Sequence, residues 1–586
     1  METIRSIALG AARTSSTCAL MLTTLLTACG PVPGTPGSSQ TGSQAAPAAP
    51  KVLAIGLDED LKHFWDALTG GGGTGARELA NLINQHIAAI GGDGVARPRL
   101  VVELPSQDKG TWKVLTDGTM ETTLKLRPGI TWHDGTPFTA DDVIFSWQVN
   151  RDPDVPNANQ EAVKLIKSIE ATDPLTVVMH WGELYAFADR LEHRELFPLP
   201  KHLLEQSYRE TKDQFLNSAY FNTSYVGLGP FRVTNWDFGS GIETAAYDGF
   251  FLGRPKIDVI RVRFIPDNNT MLANLRARSI QMMLTLGNGP DLEAMTLLKQ
   301  EWESTGYGTM YADPISWLFA EPQKVHNPQP SDLVNPKLRQ AFLLALDRQS
   351  LVQATTAGLG LVADSWVHPS FSSYSTLQSV IARYPYDPRR ASEAFAEAGW
   401  TPGPDGVLEK NGQRLAPLAR TFQVPRELLI TVDGWKRSGV AVDIESTPEQ
   451  MLRDREFRAS FTGFDFVSNP MGAAAASRRL AGYNTPTAEN KWTGTNRGGY
   501  TNAAWDELDR RINIALQDGQ RRELERELVT MFTAELPVLP ITYKFDIIPI
   551  GGGLSGVQPV TAVAHRGFIL HTWNAFEWDM QPKGQE

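Results

Sequence analysis

The sequence predicts a mixed α/β protein with more than one lobe, on three observations. Stretches with apolar residues at alternate positions, such as 122–126 and 259–265, are interspersed with helices that carry their own start and stop residues. The length remaining after Lys51, out of 586 residues, is more than one hydrophobic core takes up. The chain has only two cysteines, Cys18 and Cys29, so its fold must be held by packing rather than by disulfides.

The N-terminus sets Arg5 and Arg13 before an apolar run over 18–26, followed by Leu26-Thr27-Ala28-Cys29-Gly30. A basic start, a short apolar stretch and small residues before a cysteine form a secretory signal, too short to span a bilayer. Leu-Thr-Ala-Cys is also a lipobox, so the expectation is a signal peptide over 1–28 and a lipidated Cys29 as first mature residue, anchoring the protein without crossing the membrane. Residues 29–50, rich in Gly, Pro, Ser, Gln and Ala, read as a flexible tether. The net charge of −11 shows no basic stripe and argues against nucleic acid as a partner.

From residue 52 a short apolar strand leads to Phe64-Trp65 and to Gly70–Gly75, which matches G-x-G-x-x-G. Neither the acidic residue of a dinucleotide fold nor the Gly-Lys-Ser/Thr of a P-loop is correctly placed, so this run reads as a loop. A helix is expected over 77–90, with Leu79, Leu82, Ile83 and Ile87 on one face.

The stretch 122–150 has the most explicit local logic. A strand ends at Arg127-Pro128-Gly129, a second short strand is expected over 130–132, and His133-Asp134-Gly135 makes a turn. Thr139 and Asp142 form a capping box, Phe138 and Val143 a hydrophobic staple, and Val143, Ile144 and Trp147 a buried stripe. Residues 163–169 and 175–181 read as two strands or a helix–strand pair; His193 and His202 lack a third metal ligand, and 152–156 lacks the glycine and glutamate of a calcium loop. Further on, Gly227-Leu228-Gly229-Pro230-Phe231 opens two antiparallel strands, and 271–278 is helical before a strand over 280–286. Asn335-Pro336 and Asp387-Pro388 each cap and open a helix, the second stopped by Gly399, and Gly499-Tyr500-Thr501-Asn502 leads through helices to Leu536-Pro537-Val538-Leu539-Pro540.

Taken in order, these five motifs resemble the family 5 extracellular solute-binding proteins, the oligopeptide-, dipeptide- and nickel-binding components of ABC importers. Leu126-Arg127, Gly129, His133-Asp134-Gly135, Pro137, Thr139-Ala140 and Asp142-Val143 fit that family's signature; Leu228 stands where it has threonine. The resemblance implies a two-lobed periplasmic-binding-protein-like fold (type II, cluster C) with an extra small domain. Lobe I would comprise 51–86, 222–313 and 546–586, the inserted domain 87–221, and lobe II 314–545. It further implies a monomeric, non-enzymatic protein without a cofactor or metal, on the extracytoplasmic face (cell surface or periplasm), handing a peptide to a permease and ATPase complex.

The family's "G-W-x-A-D-Y-P-D-P" segment, whose first aspartate pairs with a peptide's α-amino group, corresponds here to 463–470. Anchored on Pro470, that position is Phe466, with Asp465 one residue away and Asn469 in place of the second aspartate. A one-residue shift in a strand sends a side chain to the opposite face. Trp65, Trp317, Phe464, Asp465 and Asn469 are therefore the candidate ligand-binding residues. A non-peptide solute, such as an oligosaccharide, opine or metal chelate, is the alternative on the same fold. A secreted lipoprotein hydrolase is the rival class, and the chain lacks G-x-S-x-G, H-E-x-x-H and a cysteine nucleophile to support it.

Overall fold

Three sheets, each with helices laid against it, organise the chain. The computed structural model describes residues 49–581 apart from 70–73, 156–160, 193–194, 213, 286–288, 372, 423–424, 449, 452–453 and 563–568. The signal segment, Cys29, nearly all of the tether, His193 and most of the glycine run lie outside the described residues.

The first sheet has the order Met282–Leu284, Val52–Leu57, Val259–Phe264, Gly241–Ala246, Phe231–Asp237. Val52–Leu57 runs parallel to both neighbours, and the last three strands form an antiparallel meander. Leu53, Ile55 and Leu57 are fully buried, as period-2 alternation over a covered face requires. The helix Thr74–Ile83 packs in the same core. It ends earlier than the expected 77–90, because the Ile83 carbonyl is taken by the Gly229 N–H at 3.1 Å and Asn84 Oδ1 accepts from Leu228 N. Ala88–Ile90 then forms a strand with Ala96–Pro98.

The second sheet is antiparallel, Trp112–Val114, Met120–Lys125, Thr176–Trp181, Ile166–Asp173. Beside it the helix Ala140–Arg151 starts as its residues dictate, with Thr139 N donating to Asp142 Oδ2 at 2.9 Å and Phe138 and Val143 both buried. The second oxygen of Asp142 accepts from Lys201 N, so one carboxylate serves two helix starts. The expected strand over 130–132 is reduced to one bridge, Thr131 with Pro137, because the His133-Asp134-Gly135 turn leaves no room for a longer ladder.

His133 joins this sheet to the first. Its Nδ1 accepts from Gly227 N at 3.2 Å, so Nε2–H donates to the Gly229 carbonyl at 3.0 Å. Both contacts require a neutral ring, and burial pushes the imidazole down to about 4. Leu228, between the two glycines, is buried in the core of the second sheet.

The third sheet has the order Asp443–Ser446, Leu418–Thr421, Phe464–Pro470, Gly308–Pro322, Leu539–Gly551. The helices Pro336–Leu344, Pro388–Glu397 and Arg426–Arg437 cover one face, with Phe342, Phe395, Trp435 and Phe464 edge-on at its centre. Asn335 and Asp387 cap the first two as read from sequence. Ala503–Ile514 and Asp518–Glu535 pack in the core shared with the second sheet.

The last two strands of the third sheet are long enough to enter two cores. Near Met310 and Ile547 they pack with Met271, Leu298 and Trp302 beside the first sheet; near Leu318, Ala320, Leu539 and Ile541 they pack in the core of the third. Their ladder runs from Gly308↔Gly551 to Ala320↔Leu539, with a register shift between Pro314 and Ser316. No helix among the described residues is long and apolar enough to cross a membrane.

An alanine Cβ at Gly229 would stand 2.3 Å from the Ile83 carbonyl carbon and 2.5 Å from Asn84 N, both backbone. Gly229→Ala should therefore destabilise the protein by about 3 kcal/mol, the upper end of overpacking costs, in urea-unfolding midpoints. A change within about 0.5 kcal/mol, the level of neutral surface substitutions, would refute this reading of the docking glycines.

Candidate functional site

Where the two long strands change register, Asp313 is held by a fully buried imidazole. His571 Nε2 donates to Asp313 Oδ2 at 2.9 Å and Nδ1 to Glu78 Oε1 at 3.0 Å, making a doubly protonated ring between two carboxylates. Asp313 Oδ2 also accepts from Val560 N at 3.1 Å. Glu78 accepts from His571 N, Thr572 N and Thr572 Oγ1 at 2.6–3.0 Å. Burial alone would push this imidazole down, but the hydrogen bonds and charges of Asp313 and Glu78 win and hold it up at about 10. The triad thus ties the helix Thr74–Ile83, the C-terminal segment and the first long strand at one point.

Beside the same crossing lies a cavity of about 280 Å³. One wall comes from Met283, residues 289–292 and Asp546-Ile547 of the last strand; the other comes from Thr355-Thr356, Arg426-Glu427 and residues 543–545. Asp546 accepts from Thr285 Oγ1 at 3.3 Å, and Lys544 Nζ is paired with Glu427 at the start of the helix Arg426–Arg437. Asp58, just past the strand Val52–Leu57, belongs to the same acidic side. Burial, then the charges of Glu59 and Asp546, push its carboxyl up to about 7. Asp291 and Asp546 therefore line the first wall, and on the second Arg426 brings a cation beside the Lys544–Glu427 pair, an arrangement suited to a solute bearing both charges.

The strand Phe464–Pro470 offers a second feature. Its pairing with Gly308–Pro322 runs its full length, from Phe464 to Pro470. On the other edge its pairing with Leu418–Thr421 covers only Phe464 and Asp465. Among the described residues, no strand pairs with that edge beyond Asp465.

The sequence-derived candidates lie elsewhere, and none lines the cavity. Trp65 is buried edge-on against Phe197, Phe215 and Phe221. Trp317 is buried beside Phe319 and Phe532. Phe464 and Phe466 point into the second lobe's core around Trp435. Asp465 faces the other way, as strand parity requires, and is 7 % exposed. There Arg420 Nε donates to it at 3.3 Å. Among the described residues, Asn469 donates only to the neighbouring Pro470 carbonyl. His202 pairs with Asp134 at 2.7 Å. Of the residues that sequence reasoning missed, Asp58 and Arg426 sit at element ends and Lys544 and Asp546 inside the strand Leu539–Gly551, with no motif around them, and only the fold brings them together.

Residues 108–481 match the family model described as bacterial extracellular solute-binding proteins, family 5, middle. The oligopeptide-binding protein AppA of Bacillus subtilis is 28% identical over 336 residues, covering 56% of this chain and 58% of that one. The chain thus spans little more than half the length of that relative. Among solved structures, the oligopeptide-binding protein of Thermus thermophilus with a pentapeptide has a TM-score of 0.70 and 22% identity, over 90% of this chain and 96% of that one. NikZ of Campylobacter jejuni with Ni(L-His) has a TM-score of 0.69 and 22% identity, over 91% of this chain and 100% of that one. At that identity the structural likeness shows the two-lobed fold and leaves the ligand open.

The triad makes a signed pH prediction. An imidazole raised in the folded state stabilises fully below its unfolded value near 6.5, and that contribution is lost as pH rises through about 10. His571→Gln should cost about 3 kcal/mol at neutral pH, since it strands two buried carboxylates. In thermal melts the gap between wild type and variant should narrow steadily from pH 7 to pH 10. A constant or widening gap would contradict a charged His571.

Proposed function

Because the chain belongs to the bacterial extracellular solute-binding proteins of family 5, we propose that it captures a small peptide between its lobes and delivers it to the permease of an ABC importer. The observation that carries this reading is the two-signed cavity at the strand crossing, with Asp546 on one wall and Arg426, beside the Lys544–Glu427 pair, on the other. A peptide's ammonium and carboxylate would meet these walls, and its backbone could lie along the strand edge left open past Asp465. The ligand would contact both walls only when the lobes are together, so binding would draw the population to the closed form.

In this reading, lobe I comprises 51–86, 222–313 and 546–586, the small domain 87–221 and lobe II 314–545. The two long strands then cross between lobes at the register shift beside Pro314. Cys29, after the signal at 1–28, is the proposed lipid anchor, and residues 29–50 the tether. The protein acts as a monomer at the extracytoplasmic face, without catalysis.

Native mass spectrometry of the purified full chain should show a retained, unmodified peptide, released on unfolding. Asp546→Asn should weaken rebinding of that peptide about ten-fold, a difference of about 1.4 kcal/mol. It should leave the affinity for its N-acetylated form unchanged. A sugar or metal chelate in place of the peptide would overturn the ligand class, and turnover of an added peptide would overturn the binding role.

A further inference from the structure

Among the described residues, four arginines converge in the second lobe around two carboxylates. Arg420 lies on the strand Leu418–Thr421, Arg458 on the helix Arg455–Ala459, Arg479 at the end of the helix Ala473–Arg479, and Arg497 in the loop that follows Asn496. Their acidic partners are Asp465 and Glu321. Arg420 gives Nε–H to Asp465 and its two Nη groups to the carbonyls of Phe457 and Arg458, each at 2.9 Å. Arg479 Nη2 donates to Glu321 Oε2 at 2.7 Å, and the other Glu321 oxygen accepts from Gly498 N at 3.0 Å.

The carboxylates are thus spoken for, yet the cations are not. Arg479 is 8 % exposed, and its buried Nε has no hydrogen-bond acceptor among the described residues. Arg458 and Arg497 are half-buried, and among the described residues only charge–charge interactions reach their guanidiniums. Burial, then the charges of Arg479 and Arg458, pull Arg497 down to about 10, so these groups feel one another directly. Lys324 also faces Glu321, but its ammonium is held by the carbonyls of Pro322 and Pro537.

Among the described residues, four guanidiniums against two carboxylates leave two positive charges uncompensated at a site partly withdrawn from water. A cluster serving structure alone gains nothing from that excess, because a cation partly shielded from water and left without a counter-charge destabilises the fold. Guanidiniums gathered with too few carboxylates become favourable when an anion with several acceptor oxygens sits among them. We propose that Arg458 and Arg497, backed by Arg420 and Arg479, form a binding site for a doubly charged anion, either one phosphate-like group or a pair of carboxylates. The site goes beyond the peptide reading, since it holds whether the anion is free or belongs to the captured solute.

Calorimetric titration of the full chain at fixed ionic strength tests this with inorganic phosphate, citrate, alanyl-glutamate and alanyl-glutamine. Saturable binding of phosphate or citrate identifies a free anion; binding of alanyl-glutamate but not alanyl-glutamine places the charge on the solute. In either case Arg458→Gln and Arg497→Gln should each weaken binding at least ten-fold, while the exposed control Arg510→Gln leaves it unchanged. Without anion, Arg497→Gln should melt no lower than wild type, because it relieves repulsion. Absence of saturable binding by all four probes, or binding indifferent to both variants, overturns the site, as does an Arg497→Gln that melts lower with its affinity intact.

Discussion

The ladder between Gly308–Pro322 and Leu539–Gly551 is the constraint on which the rest of the structure depends. Each strand supplies residues to two hydrophobic cores, so neither core is complete without the pair. A continuous ladder of that length would be a stiff plank. The register shift between Pro314 and Ser316 interrupts it at the point where the cores change over. The His571–Asp313–Glu78 triad secures the first-lobe side of that interruption to the C-terminal segment and to the helix Thr74–Ile83. The cavity opens beside the same crossing, so its two walls inherit whatever freedom the interruption gives.

Buried titratable groups show how environment, rather than residue type, decides charge. His133 and His571 are both enclosed, and burial disfavours the charged form of each. His133 meets an N–H and a carbonyl, which together demand a neutral ring, and it stays neutral. His571 meets two carboxylates, whose attraction exceeds the desolvation cost, and it stays charged. One histidine fixes the small sheet to the first lobe through geometry; the other fixes the crossing through charge.

Much of the architecture was legible because it is written locally. The Thr139–Asp142 box, the Asn335 and Asp387 caps and the alternation of Val52–Leu57 are each decided by residues a few positions apart. The helix expected over 77–90 failed where a distant partner intervened, since Gly229 captures the Ile83 carbonyl. The candidate site was illegible for the same reason. Its walls come from segments around 283–292, 355–356, 426–427 and 543–547, and no local pattern marks them. Asp465 shows how fine the margin is: one residue along the strand separates the Phe466 side, packed on Trp435, from the face where Arg420 waits.

The central claim is that the lobes close about the register shift when solute binds. It is tested most directly by measuring the distance between them. The sequence has only Cys18 and Cys29, both at the N-terminus, so spin labels placed at Lys299→Cys and Arg389→Cys, with both native cysteines replaced, would report one distance across the lobes. Pulsed electron–electron resonance should give a broad distribution in the ligand-stripped protein and a single narrower, shorter one once the co-purified solute is restored. An unchanged distribution, with calorimetry confirming that the solute is bound, would contradict closure about this crossing.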